Sequence, residues 1–244
     1  MGESILQKFW KYVLIATIIS CCGYLHNFDG FLLVDPSGTP VSSTTDYPQV
    51  VMVYTGSACT GVIVDHDLVL TAGHCRSYKD SYSVFDQTGP KLGTTSDRIA
   101  PPDDDPDIAL LRFPPNTFTI PPLTIGPEVV QNDLVELVGF GCNDAKEQTG
   151  QLIKRRATNH VLNVFDFITL YTPLSSSGKM IVGSDNTAGI CSGDSGGPLL
   201  KNGQVVGISS ISEVRTDRVY SWFVNLSHPK AREFLGQYLK NSNP

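Results

Sequence analysis

From Val50 onward the chain divides into short apolar runs separated by glycine, proline, asparagine and aspartate. Val50–Tyr54, Gly61–Val64, Leu68–Thr71, Ile108–Phe113 and Leu134–Gly139 read as strands, as do Gln151–Ile153, Phe167–Tyr171, Pro198–Leu200, Gln204–Ser209 and Arg218–Val224. Runs this short, rich in Val, Ile and Thr and bounded by turn residues, fit strands better than helices. Asp65-His66-Asp67 lies between two runs and suggests a hairpin. Asn202-Gly203 lies between two others, and both residues tolerate the positive φ that a tight hairpin demands. One stretch reads as helical. It begins near Ser227-His228-Pro229 and carries Ala231, Phe234, Leu235 and Leu239 at three- and four-residue spacing, with proline early, where a helix accepts it. The residues therefore predict an all-β architecture closed by a C-terminal α-helix.

Composition narrows the class. With 41% hydrophobic and 17% charged residues in 244, the chain can bury a core and is not disordered. The length allows one large domain or two small ones. A net charge of -6 argues against nucleic acid as a main partner. Six cysteines are too few to make a disulfide-held miniprotein of this size, but suffice for two or three bridges in an oxidising compartment.

The first residues read as an address. Lys8 and Lys11 precede a short apolar run, Tyr12 to Ile19, which ends in Ile18-Ile19-Ser20-Cys21. That end resembles a bacterial lipobox, in which the cysteine is lipidated and becomes the new N-terminus. The expectation is a signal peptide over 1–20, a tether over 21–37, a globular domain over 38–240, and export with lipidation at Cys21. An ordinary secretory signal and an uncleaved anchor are the alternatives. Loss of Lys8, Lys11 and Glu3 with residues 1–20 would deepen the charge from -6 to -7.

Three local motifs carry chemistry. His74 lies in Thr71-Ala72-Gly73-His74-Cys75, Asp107 opens Asp107-Ile108-Ala109-Leu110-Leu111, and Ser195 lies in Gly193-Asp194-Ser195-Gly196-Gly197-Pro198. Each is modest evidence alone. Together, and in this order, they supply a nucleophile, a base and the acid that orients the base. The acidic run Asp103-Asp104-Asp105 reads as a solvated loop rather than a calcium site.

With these motifs the chain resembles the trypsin/chymotrypsin-like serine peptidases over about residues 38–240, in the pattern of a bacterial secreted or lipoprotein member. The resemblance implies two six-stranded antiparallel β-barrels with the active site between them. It implies a serine endopeptidase that forms an acyl-enzyme, with catalytic His74, Asp107 and Ser195 and an oxyanion hole at the N–H groups of Gly193 and Ser195. No metal or organic cofactor is needed. The implied partner is a protein or peptide substrate, with possible membrane attachment through Cys21. A monomer is the default expectation.

The resemblance pairs Cys59 with Cys75. Cys191 lacks its usual partner, and Cys142, after the turn Gly139-Phe140-Gly141, is the substitute expected; two buried free thiols are the alternative. Cys22 is left over. The substrate pocket would have Gly189 at its base and Ser210, Ile211 and Ser212 in its wall, with Ser210 also bonding the aspartate. An uncharged base disfavours a tryptic preference for Lys or Arg. Arg218 aligns with a wall position; pointing inward it would favour Asp or Glu, and pointing outward it would leave a pocket for small or apolar residues.

One departure stands out. The family activates by a cut after a basic residue, freeing an amine that pairs with the aspartate before the nucleophile, here Asp194. No Lys or Arg lies between Lys11 and Arg76. The expectation is that no tryptic activation step exists. A non-catalytic binding module on the same fold and a small-molecule esterase are the rival functions. The usual esterase elbow and residue order do not match.

Overall fold

The computed structural model describes residues 47–142, 152–165, 167–168, 176–183, 188–214 and 219–239. Seven strands form the first sheet: β1 (Val50–Tyr54), β2 (Ala58–Asp65), β3 (Leu68–Thr71), β4 (Tyr82–Phe85), β5 (Lys91–Thr95), β6 (Asp97–Ile99) and β7 (Ala109–Arg112). They are ordered β5-β4-β1-β2-β3-β7-β6 and curl into a barrel-like layer. The second unit is a closed six-stranded barrel. It comprises β8 (Leu134–Gly139), β9 (Arg155–Val164), β12 (Lys179–Val182), β13 (Pro198–Lys201), β14 (Gln204–Val214) and β15 (Val219–Asn225). A small pair, β10 (Phe167–Ile168) with β11 (Ser176–Ser177), stands outside it. All named pairs are antiparallel. The all-β expectation therefore holds, with seven strands rather than six in the first sheet.

Both expected hairpins form. Asp65 pairs with Leu68 across His66-Asp67, and Lys201 pairs with Gln204 across Asn202-Gly203. Asn202 and Gly203 have φ of 52° and 76°, as such a turn requires. Helix α1 (Pro229–Gly236) takes His228 as its N-cap and proline in its first turn. It buries Ala231, Phe234 and Leu235 in a core shared with Val50, Leu110 and Leu111 of the first sheet. Arg112 of β7 lies over the Tyr238 ring just past the helix, 5.7 Å from its centroid. The helix thus folds back from the second barrel onto the first. Burying one large side chain such as Phe234 is worth about 1.5–3 kcal/mol, and Phe234→Ala would cost about 3–5 kcal/mol.

One strand assignment is corrected. Within the expected strand Gln151–Ile153, Leu152 and Ile153 do not form a strand: Leu152 has φ of 71°, and the strand begins at Arg155; Gln151 lies outside the described residues. β9 does alternate buried and exposed residues, but its inward set includes Arg155 and Asn159 beside Ala157 and Val161. Polar residues on the inner face hide the period of two that marks a strand. Strands β5 and β6 carry almost no apolar residues and sit at or near the sheet edges. Residues 1–46, which hold the expected signal, tether and Cys21, lie outside the described residues, as do 169–171 and Arg218.

Candidate active site

Several contacts lock the two barrels together, and the candidate residues sit where they do so. Thr60 of β2 is fully buried. Its hydroxyl donates to the Gly193 carbonyl at 2.8 Å and accepts the Phe140 N–H at 3.0 Å. Its own N–H donates to the Ser195 carbonyl at 2.8 Å. One threonine of the first barrel therefore holds three points of the second. Lys154 adds a tie, donating to the Tyr47 carbonyl at 2.8 Å, and Tyr47 donates in turn to Glu136 at 2.8 Å.

His74 follows β3, and Asp107 lies just before β7, the strand paired with β3. Register thus brings together two residues that are 33 positions apart. Asp107 Oδ1 accepts the His74 backbone N–H at 2.8 Å, and Oδ2 faces the imidazole Nδ1 at 2.9 Å. The hydroxyl of Ser210, on β14, donates to the same Oδ2. Burial alone would push the Asp107 carboxyl upward. The His74 hydrogen bond and charge, the Ser210 hydroxyl and the Lys179 charge together hold it below the usual carboxylate range. It is therefore an anion behind the imidazole, fixing Nδ1 as the protonated nitrogen and leaving Nε2 free to accept.

The loop carrying His74 is clamped from below. Arg98 donates to the Gly73 carbonyl at 2.6 Å and to Asp104 Oδ1 at 2.8 Å, and Arg76 pairs with Asp104 Oδ2. The Asp105 carboxylate takes the Ser177 N–H at 2.7 Å and the Lys230 ammonium at 2.7 Å. Asp104 and Asp105 are thus a hub of ion pairs rather than solvated, whereas Asp103 is exposed as expected. Among the described residues no cluster of ligands could hold a metal ion.

Ser195 and His74 open on one cleft of about 510 Å³, lined also by Gly193, Ser192, the Cys59–Cys75 bridge, Tyr78 and Leu152. The hydrogen bond between Ser195 and His74 is not formed among the described residues; such bonds often tighten only with substrate. Gly193 has φ of 101°, a conformation open to glycine at no steric cost. Among the described residues the N–H groups of Gly193 and Ser195 donate to no protein acceptor, so both can serve a ligand oxygen.

Asp194 is 1% exposed. Its Oδ1 accepts the Gly141 N–H at 2.7 Å and its Oδ2 the Cys191 N–H at 2.8 Å. A side chain at Gly141 would overlap this carboxylate, so the turn after β8 needs glycine there. Burial pushes the Asp194 carboxyl up to about 7, against the Cys191 and Gly141 hydrogen bonds and the Arg155 charge. Arg155 Nη1 donates to the Gly141 carbonyl at 3.2 Å, so the guanidinium and the carboxylate grip one glycine from its two sides. A Cys142–Cys191 disulfide ties the same turn to the Asp194 loop.

Of the expected pocket residues, Gly189 is buried and Ser210, Ile211 and Ser212 lie along β14. The next N–H, that of Ile190, donates to Ser221 of β15 at 2.9 Å, which joins the Gly189 segment to the neighbouring wall. Sequence reasoning missed Thr60, Lys179, Arg98 and Arg155. A lysine heading the apolar run Met180-Ile181-Val182 is the one signal that could have been read.

The chain is similar to known proteins in sequence and in fold. The family model described as Trypsin matches residues 37–230. Snake venom serine protease KN11 of Trimeresurus stejnegeri is 28% identical over 203 residues, covering 72% of this chain and 78% of its own. Venom plasminogen activator Haly-PA of Gloydius brevicauda is 28% identical over 174 residues, covering 64% of this chain and 67% of its own. Among solved structures, neuropsin, a serine protease expressed in the limbic system of mouse brain, is similar in fold. Its TM-score is 0.65 at 19% identity, over 81% of this chain and 97% of its own.

Proposed function

Because the chain belongs to the trypsin family and is a serine-type endopeptidase, we propose that Ser195, His74 and Asp107 carry its hydrolysis of peptide bonds. The observation that carries this reading is the His74–Asp107 pair at 2.9 Å, open to the same cleft as Ser195 and Gly193. Ser195 Oγ attacks the scissile carbonyl while His74 Nε2 takes its proton. The Gly193 and Ser195 N–H groups receive the developing oxyanion, a contribution of about 3–4 kcal/mol per donor in such sites. His74 then gives its proton to the leaving amine, and the acyl group stays on Ser195. Water, deprotonated by His74, attacks the ester, and the proton returns to Ser195 as the acid leaves. Asp107 stays ionised throughout and stabilises the imidazolium.

The preference before the cleaved bond is not tryptic, since Gly189 offers no carboxylate to Lys or Arg. A peptide library tests this: cleavage after small, apolar or acidic residues supports it, and cleavage after Lys or Arg contradicts it. Arg218→Ala separates the acidic from the neutral pocket.

No tryptic activation cut precedes activity. Arg155 supplies the positive charge near Asp194, and the two N–H donors hold that carboxylate in place. Intact-mass analysis of active protein tests this; a new N-terminal Ile or Val near residue 35 contradicts it.

The chain is exported, with 1–20 as signal, 21–37 as tether and 38–240 as the peptidase domain. The apolar run before Ser20 and the venom relatives support export. Lipidation at Cys21, and the bacterial origin it would imply, rest on the lipobox-like end alone, and a lipid mass on a peptide starting at Cys21 tests them. Digestion of an unfolded protein substrate by the purified chain, abolished by Ser195→Ala, tests the function itself. No digestion by the unmodified chain would favour a binding module.

A further inference from the structure

Lys179 opens β12 and is 1% exposed. Lysine is almost never fully buried without a partner. Its Nζ donates to Ser210 Oγ at 3.0 Å, and the Ser210 hydroxyl donates to Asp107 Oδ2, the oxygen that faces His74 Nδ1 at 2.9 Å. A hydrogen-bonded chain therefore runs from the ammonium to the imidazole. Its polarity is fixed at one end: an ammonium can only donate, so Ser210 must accept from it and spend its own proton on Asp107.

The charges around Lys179 come from several elements. Asp107 and His74 lie on the triad side. Asp105 lies on the other, paired with Lys230 of α1 at 2.7 Å. His228, the N-cap of α1, packs against Gly178. Burial pulls the Lys179 ammonium below the ordinary lysine range, against the Asp107 and Asp105 charges.

We infer that Lys179 is a positioning residue for hydrolysis, acting through Ser210 and Asp107 to set the pH at which His74 can work as the base. This rests on the reading of His74 and Asp107 given above. A cation beyond the carboxylate cancels part of its field, so the imidazolium gains less from Asp107. The neutral imidazole, able to accept the Ser195 proton, is thereby favoured over the imidazolium. The ammonium also keeps the Ser210 proton aimed at Asp107.

Lys179→Met and Lys179→Gln test the inference. Both remove the charge, while Gln keeps a donor for Ser210. The acid limb of kcat/KM is expected to move up by about one pH unit in both, the size of shift a nearby charge exerts. Activity on that limb then falls about tenfold, while the plateau at higher pH changes less than about threefold. Lys179→Arg, which keeps the charge, is expected to leave the limb in place. A lowered plateau with an unmoved limb in both neutral variants would overturn the inference and leave Lys179 a purely structural residue. The imidazole titration of His74, followed by NMR in a Ser195→Ala background with and without Lys179→Met, needs no turnover. If the unmodified chain cleaves nothing, the peptidase reading fails, while this titration still decides whether Lys179 acts on His74.

Discussion

Two buried aspartates lie on either side of the cleft, and their surroundings are opposite. Asp107 is met by the His74 backbone N–H, the imidazole, a hydroxyl and, beyond it, an ammonium, and these keep it ionised. Asp194 is met by two backbone N–H groups and the more distant Arg155, and burial pushes it up to about 7. In the proposed mechanism, charge is secured where the reaction needs charge, and hydrogen-bond geometry where the fold needs only a fixed loop. Asp107 would act on the base, and Asp194 holds the loop that carries the Gly193 and Ser195 N–H groups.

The largest expected effect comes from removing the charged member. Asp107→Asn should lower kcat by about 10⁴, through the wrong imidazole tautomer, with little change in KM. A loss below about tenfold in steady-state assays would break the comparison, since Asp107 would then matter no more than a scaffold residue.

On the loop side, Thr60→Val removes a hydroxyl with two partners, at Gly193 and Phe140. Leaving buried groups unpaired costs about 1–3 kcal/mol, so kcat/KM should fall about ten- to a hundredfold. The acid limb of the pH profile should stay in place, because Thr60 does not touch His74. A moved limb would show that the two sides of the cleft are not separate.

The smallest effect is on stability, and the two carboxylates pull it in opposite directions. The folded-state value of Asp107 is depressed, so its contribution is present above the ordinary carboxylate range and lost as pH falls through the folded value. The folded-state value of Asp194 is raised from 3.8 to about 7. Its contribution is full below the unfolded value and lost as pH rises through about 7. Denaturant unfolding between about pH 5 and about pH 8 should therefore show stability falling with pH, and Asp194→Asn should remove that component. A flat difference between the two proteins over this window would mean that Asp194 is ionised by a stronger partner, such as a free amine, and would overturn the Arg155 assignment.

Much of the fold was legible because short apolar runs and turn residues report on local structure. The Asn202-Gly203 hairpin and α1 fall where pattern places them. β9 was illegible because Arg155 and Asn159 face inward for reasons that lie in other elements: Arg155 reaches the Gly141 carbonyl, and the Asn159 amide reaches the Ala188 carbonyl. The same limit applies to the site. His74, Asp107 and Ser195 stand in motifs readable within a few residues. Thr60 meets Gly193 across 133 positions and Lys179 meets Ser210 across 31, and no local pattern encodes such meetings.

In the proposed mechanism Ser195 is a nucleophile activated by His74 and served by the Gly193 and Ser195 N–H groups. The most direct measurement is reaction of the purified full-length chain with a fluorophosphonate probe, followed by peptide mapping. The account predicts one adduct, on Ser195, absent in Ser195→Ala and strongly slowed in His74→Ala. No adduct on the unmodified chain, or an adduct that survives Ser195→Ala, would contradict it.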